Sequence, residues 1–274
     1  MATYVSRLLS ESLELRVGLL SKTRIRKKSR KLSALSTKAD KQSLEQTFEF
    51  GHFLLDITDS LSVEAIRGTL PVEIRFRSGQ VLKDWSGRKQ TEALKSLTDE
   101  KTPLCRRKEI LEARAAWEAD TSLRTRFPLV NLRILAEMLI FIAQTGMNRA
   151  QTHSLKISKF RYQSHLEGYQ VHRVYKNRRQ GEVAFSIYSE YREIFERYLV
   201  WRNTIFQAED NDLLFPLVRL GGRATDVPPS YGAVKKRCKK IGVTFFSPST
   251  LRKTRVNWML RRSRDLEMTA EMGV

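Results

Sequence analysis

The sequence predicts a mainly α-helical fold with a small antiparallel β-sheet, an α+β class, in two domains. Two observations favour this class: apolar residues recur at helical spacing in several segments, and two β-prone runs flank a polar turn within residues 169–187. The chain has 274 residues, which is enough for two hydrophobic cores, and its hydrophobic content of 41% is typical of globular proteins. We expect a first domain at 1–124 and a second at 125–274.

The first domain is expected to be mostly helical. Apolar residues in the first twenty positions partly fit an amphipathic helix, and a basic arm at residues 21–31 follows with seven Lys or Arg and no acid. Near residues 70–87, alternating apolar and charged residues end at a Ser-Gly pair, which predicts a short β-hairpin or extended insertion. Residues 105–120 predict a helix whose buried stripe holds Ile110, Leu111 and Trp117.

The second domain opens with the most hydrophobic segment of the chain. Residues 127–146, FPLVNLRILAEMLIFIAQTG, predict a buried core helix that stops at Gly146. After the β-prone residues 169–187, an amphipathic helix is predicted with Tyr191, Ile194, Phe195, Tyr198 and Leu199 on one face. Two basic helices are predicted at the end, in VPPSYGAVKKRCKKIG and in SPSTLRKTRVNWMLRRSRD.

The charge of the chain indicates a polyanionic partner. Fifty Lys and Arg stand against thirty Asp and Glu, a formal net charge of +20, whereas a solubilising surface charge is typically a modest excess of mixed signs. Duplex DNA is the expected partner, and an RNA-binding protein is the alternative that explains the charge alone. The basic arm taken by itself fits a solvated linker and a phosphate-binding arm equally well. The candidate DNA contacts are Arg24, Arg26, Lys27, Lys28, Arg178, Arg179, Lys235, Lys236, Arg237, Lys253 and Arg255.

Several other classes of function lack support in the sequence. Cys105 and Cys238 are too few and too far apart for a disulfide framework or a paired-cysteine metal site, and the four histidines lack the spacing of a zinc site. The chain contains no GxxxxGK[ST] loop and no GxSxG elbow. We expect no cofactor, no metal and no membrane partner, and a cytoplasmic location associated with the nucleoid.

Four motifs in order resemble the catalytic domain of the tyrosine recombinases, the phage integrase family. TGMNRAQTHSLKISKF at residues 145–160 resembles the family's TGLRxSELLxLxxxDI box, and STLRKTRVNWML at residues 249–260 resembles its HxLRHTxATxLL box. A β-hairpin carrying Lys176 and the amphipathic helix after it lie between them, as in the family. The similarity covers roughly residues 125–274, and together the four motifs are much less expected by chance than any one alone.

The resemblance implies a set of catalytic positions, of which the chain keeps a part. In the family a tyrosine attacks a DNA phosphodiester while two arginines stabilise the charge that grows on the phosphate. Arg252 matches the second arginine, Asn148 stands at the position of the first, and Arg149 follows one place later. A shift by one helical residue turns a side chain by about 100°, so Arg149 replaces the first arginine only if the helix begins differently. Ser249 stands where the family has a histidine that assists proton transfer.

The remaining catalytic positions concern the hairpin and the nucleophile. Lys176 matches the family's hairpin lysine, although Arg178 and Arg179 in the same turn are alternatives and a solvated turn lysine is nearly as good an interpretation. On the family's spacing, the His or Trp after Arg252 and the nucleophilic tyrosine would come after Val274. We therefore expect either a site-specific recombinase or integrase continued in a longer reading frame, or a catalytically inactive DNA-binding accessory protein of a mobile element. Both are expected to bind duplex DNA, with self-association on DNA as an option, and the fold analogy predicts that Arg252 and Lys176 face one basic groove.

Overall fold

The computed structural model describes residues 44–159, 161–165, 168–172, 175–176, 181–182, 185–207, 211–225 and 228–263, together with Ser12. Side chains are described for Ser12 and for residues 45–158, 190–207, 211–225 and 228–255. Contacts divide the chain into two compact units, Met1–Ser36 and Thr37–Val274, and every described residue except Ser12 belongs to the second.

Short helices and one hairpin come first in the described part of the chain. In chain order these elements are α1 (Leu44–Ser60), α2 (Val63–Arg67), β1 (Val72–Arg75), β2 (Val81–Asp84), a 3-10 turn (Thr91–Ala93), α3 (Lys95–Thr98) and α4 (Leu104–Ala119). Strands β1 and β2 pair antiparallel, with Val72 opposite Asp84 and Arg75 opposite Val81. Val72 and Ile74 are buried while the residues between them are exposed, as the alternating sequence requires. The hairpin predicted near residues 70–87 is confirmed.

Helix α4 lies on the surface, and the buried stripe predicted for it is wrong. None of its residues is buried, and the side chain of Leu111 is 47% exposed. The helix is held by arginine–tryptophan contacts instead: the Arg114 guanidinium lies 4.6 Å from the centre of the Trp85 ring, and that of Arg88 lies 4.3 Å from the Trp117 ring. Stacking on an indole lets a charged guanidinium help to hold a surface helix in place.

The centre of the fold is helix α5 (Leu123–Thr145), in which sixteen of 23 residues are buried. It ends at Gly146, whose left-handed backbone (φ 71°) lets its N–H donate to the carbonyl of Ile142 at 2.9 Å. The predicted core helix and its glycine stop are confirmed. By length and composition alone α5 passes as a membrane-spanning helix, but 72% of its apolar stretch is buried inside the fold, as expected of a core helix.

A second set of elements follows the core helix. In chain order these are α6 (Arg149–His153), a 3-10 turn (Ile157–Lys159), β3 (Arg161–His165), β4 (Gly168–His172), β5 (Tyr175–Lys176), β6 (Gly181–Glu182), β7 (Phe185–Tyr188), α7 (Ser189–Ile205), β8 (Leu217–Val218), β9 (Ala224–Thr225), α8 (Gly232–Ile241) and α9 (Pro248–Ser263). Strands β3, β4 and β7 form an antiparallel sheet in that order, and β5 pairs with β6 beyond it. The α+β class with small antiparallel sheets is confirmed, and the two predicted β-prone runs pair as β4 and β7. Strand β3 was not predicted.

One hydrophobic core joins these elements. Helices α1, α8 and α9 pack on α5, and Phe141 of α5 contacts the rings of Tyr191 and Phe195 on α7 and of Phe215 beyond it. The buried face predicted for α7 is found: Tyr191, Phe195 and Tyr198 are buried, and Ile194 and Leu199 are half-buried. Residues on both sides of the predicted boundary at 124 and 125 contribute to this core. The division into two domains stays a prediction.

Candidate nucleic-acid interface

Helix α8 presents one uniformly positive face to solvent. Its residues Val234 and Cys238 are buried against the core, and four lysines on the other side are exposed. These four, Lys235, Lys236, Lys239 and Lys240, are called the lysine face below. The helix contains no acidic residue, and among the described side chains none forms an ion pair with the lysine face. Lys235 and Lys236 were predicted as DNA contacts from the sequence, whereas Lys239 and Lys240, which follow from the same helical period, were missed.

Arg237 lies on the inner side of the same helix, although it was predicted as a DNA contact together with its lysine neighbours. Its Nε donates to Asp84 Oδ2 at 3.1 Å, its Nη2 also contacts that oxygen, and the two side chains are only 15% and 7% exposed. Arg237 is therefore not part of the exposed basic surface. The sequence carried no signal for this pairing, because 153 positions separate the two residues.

Helix α9 begins at Pro248 and carries Arg252 in its first two turns. Its cap is Ser247, whose Oγ accepts a hydrogen bond from Thr250 N at 3.2 Å and lies 2.9 Å from Ser249 Oγ. Ser247 is the cap because Pro248, which lacks an N–H, is favoured at the first helical position. Ser249 is exposed, so the residue at the family's histidine position lies at the open end of the helix.

The side chains of Arg252 and Arg255 lie against the C-terminal end of α5. Arg252 Nε donates to the carbonyl oxygen of Gly146 at 2.9 Å, and a Cβ built on Gly146 would lie 3.5 Å from Arg255 Cγ. Cations are favoured at this end of a helix, where backbone carbonyls carry partial negative charge. Arg255 is buried at 8% exposure, whereas Arg252 and Lys253 are half-buried. Burial lowers the pKa of the Arg252 guanidinium, which nonetheless stays charged at neutral pH.

Asn148 and Arg149 begin the next helix. Asn148 Oδ1 accepts a hydrogen bond from Gln151 N at 2.9 Å, so Asn148 caps α6, and Arg149 is its exposed first residue. Burial raises the pKa of the Tyr231 hydroxyl, and the charge of Arg149 opposes that rise. Arg149 therefore lies near the start of α8. Helices α6, α8 and α9 all contact α5, so these cations are carried by elements packed on one helix.

Several predicted site residues fall outside what the structure describes. Lys176 lies in strand β5, paired opposite Gly181, but its side chain is not among those described. The other such residues are Arg24, Arg26, Lys27, Lys28, Arg178 and Arg179. The predicted convergence of Lys176 and Arg252 on one groove stays a prediction.

Within the described part of the chain, no three His, Cys, Asp or Glu side chains form a cluster that could hold a metal ion. Cys238, which has five cations within three residues of it in the sequence, points into the core rather than towards them. Burial raises the pKa of its thiol to about 12, so the thiolate suggested by the neighbouring charges is not favoured.

Comparisons with known proteins give similarity in structure and not in sequence. No protein-family model matches the chain, and no curated protein matches it. Two of the solved structures that match are complexes of the XerH site-specific recombinase, one bound to its difH substrate before cleavage and one bound to a palindromic difH substrate after cleavage. Sequence identity is 18% and 19%, the TM-scores are 0.40 and 0.39, and the matches cover 52% and 56% of this chain. In each case the matched region spans 40% of the recombinase chain.

Proposed function

We propose that this chain is a recombinase-like protein that binds duplex DNA and makes phosphate contacts through the lysine face of α8. The observation that carries the proposal is a set of four exposed lysines on one helix face while the fifth cation, Arg237, is neutralised from within by Asp84. A merely solvated charged helix usually mixes signs, because like charges four residues apart destabilise a helix. A polyanion removes that cost, since its phosphates neutralise the lysines and release condensed counterions.

The surroundings of Gly146 are proposed as a second contact region. Arg149 is the exposed first residue of α6 and Arg252 is the half-buried fifth residue of α9, so both are carried by helices packed on α5. Arginine suits this role because its planar guanidinium donates two parallel hydrogen bonds to a phosphate. The sequence resemblance assigns Arg252 and Lys176 to the site where recombinases hold the scissile phosphate, and Arg149 stands one place after the position of the first arginine.

A non-catalytic role as a DNA-binding accessory protein is the second candidate, and two observations favour it over strand cleavage by this chain. Asn148 uses its side-chain oxygen to cap α6, and an amide there supplies no guanidinium charge to a transition state. Ser249 Oγ lies 2.9 Å from Ser247 Oγ, and a serine hydroxyl is a poor proton-transfer group at neutral pH. This second candidate includes two further proposals: that the protein belongs to a mobile element, and that it self-associates on DNA.

Titration of a labelled duplex at two or more salt concentrations tests DNA binding. We expect measurable affinity at low salt and a steep loss as salt rises, because each phosphate contact adds about 0.9 to the slope of log K against log salt. The double variant K235Q/K239Q should lower that slope by about two. The control K95Q/K101Q removes the same charge from exposed lysines elsewhere and should preserve most of the affinity. Undetectable affinity at low salt, or equal losses in both variants, would refute the proposal, and tighter binding of RNA than of duplex DNA would favour the RNA alternative.

A further inference from the structure

The β-hairpin and helix α8 meet at one buried carboxylate. Asp84 is the last residue of β2, and its two oxygens contact different elements. Oδ1 accepts a hydrogen bond from the backbone N–H of Ser86 at 3.1 Å, while Oδ2 accepts from Arg237 Nε at 3.1 Å. Arg237 Nη1 also donates to the carbonyl of Ala233 in its own helix at 3.0 Å. The carboxylate thus joins the turn after β2 to the middle of α8.

The turn that holds Asp84 is itself fixed on the core helix. Ser86 is 1% exposed, and its Oγ donates to the carbonyl of Thr125 in the first turn of α5 at 2.6 Å. A Cβ built on Gly87 would lie 3.0 Å from Pro128 Cγ, so the backbone of the turn packs closely on α5. Because its neighbours are fixed on α5, the Asp84 carboxylate is a rigid support for whatever binds to it.

Helix α8 needs such a support. It has ten residues, too few for a stable helix without tertiary contacts, and its exposed side carries four like charges. Successive helical residues are about 100° apart, so Val234 and Cys238 lie on one side of Arg237 while Lys236 and Lys240 flank it on the other. The apolar residues hold one side of the helix, and the ion pair holds the side next to the lysines. A rotation about the helix axis would move the lysine face away from a bound backbone.

We propose that Asp84 is a positioning residue for DNA binding: through Arg237 it sets the rotation of α8 about its axis and so aims the lysine face at the phosphates. This inference rests on the proposed DNA binding. It also gives the hairpin, which lies outside the part of the sequence that resembles a recombinase, a role in forming the interface. The pair is intramolecular, so it adds no phosphate contact of its own.

The variants D84N, R237Q and the charge swap D84R/R237D test the inference, with duplex affinity and salt slope measured well below each melting temperature. We expect D84N and R237Q each to weaken binding about threefold to tenfold and to lower the slope by about one, as a lysine contact is lost. The swap should restore at least half of the loss on a logarithmic scale, because it rebuilds the pair with the opposite order. The contrary result is binding by D84N that is as tight as in the parent protein, or tighter with a higher slope. Arg237 would then itself be a phosphate contact that Asp84 suppresses.

Hydrogen exchange on the unaltered protein keeps the inference testable if a variant does not fold. DNA should slow exchange in α8 and, to a similar extent, in the turn at residues 84–88, because the two move as one unit. Protection of α8 with an unchanged turn would overturn the positioning role. Absence of duplex binding by the unaltered protein is a different result, which contradicts the proposed function itself.

Discussion

Arg252 Nε donates a hydrogen bond of 2.9 Å to the carbonyl oxygen of Gly146, which lies 106 positions earlier in the chain. Gly146 ends the core helix, and the loop after it leads directly to Asn148 and Arg149. The contact therefore ties the start of α9 to the loop that carries the second proposed arginine. Arg252 holds a backbone carbonyl and is also proposed to contact a phosphate, so loss of its side chain is expected to disturb both interactions.

Replacement of Arg252 by alanine should weaken duplex binding roughly tenfold, about 1.4 kcal/mol, because a partly desolvated guanidinium at a fixed place loses its contact. Lys27 is the control: as a lysine of the basic arm it is expected to make only a screened contact, so Lys27→Ala should have a clearly smaller effect. Fluorescence anisotropy with a labelled duplex measures both. Equal losses of affinity in the two variants would show that Arg252 contributes no more to DNA binding than any other surface cation.

The chain should not form a covalent intermediate with DNA. Its last tyrosine is Tyr231, which is 9% exposed and whose hydroxyl pKa is raised by burial, so neither access nor acidity favours nucleophilic attack. A nicked suicide duplex incubated with the protein and analysed under denaturing conditions should show no adduct. A denaturation-resistant adduct that disappears on changing one tyrosine to phenylalanine would show strand cleavage and identify the nucleophile.

The stability of the fold should fall as pH rises from about 4.5 to 7, because of Glu137 on the core helix. Burial raises the pKa of its carboxyl from 4.5 to about 7; Arg133 and Arg197 oppose the rise, and Asp59 adds to it. The folded state therefore holds a proton that the unfolded chain has released. Stabilisation by this group is complete below pH 4.5 and is lost as pH approaches 7, at most about 3 kcal/mol.

Urea unfolding at several pH values measures this dependence. In Glu137→Gln, which imitates the protonated carboxyl, the fall between pH 4.5 and 7 should be absent. Glu112→Gln is the matched control on the surface helix α4, where the side chain is 66% exposed, and it should keep the pH profile of the parent protein. A profile that is the same in both variants would show that Glu137 is not the group responsible.

The two cysteines should react at very different rates. Cys105 is exposed at the start of α4, whereas Cys238 is buried and burial raises its pKa to about 12. Thiolate, not thiol, is the reactive species, so a thiol reagent should label Cys105 in the native protein and Cys238 only after denaturation. Quantifying the labelled thiols with and without denaturant, using C105S as the reference, tests this. Rapid labelling of native C105S would show that α8 separates from the core.

Local patterns in the sequence were sufficient for the elements whose neighbours are close in the chain. The apolar run ending at Gly146 predicted the core helix, and the alternation near Val72 predicted the hairpin, because both follow from a period of side chains along a single element. The stripe through Leu111 has the same helical spacing, but Leu111 is exposed and Ile110 and Trp117 are only half-buried. Periodicity tells which residues share a face, but it does not tell whether the face is covered.

The candidate interface was also predictable only in part, because periodicity along one element does not show which residues meet across the fold. Charge and helical period identified α8 as a basic helix, so Lys235 and Lys236 were found and Lys239 could have been. The inward turn of Arg237 depends on Asp84, a carboxylate 153 positions away in the chain. Tertiary partners of this kind leave no mark in a single sequence.

The four exposed lysines of α8 give dissolved salt two opposite effects on this protein. Lys235 and Lys239, like Lys236 and Lys240, are separated by one helical turn, and their mutual repulsion opposes the folded helix when no polyanion is bound. Small ions screen that repulsion, so moderate salt should stabilise helix α8 in the absence of DNA. The same ions compete with the lysines for the phosphates and so weaken the protein–DNA complex. In its free form the protein thus keeps like charges together on the surface where its proposed partner would neutralise them.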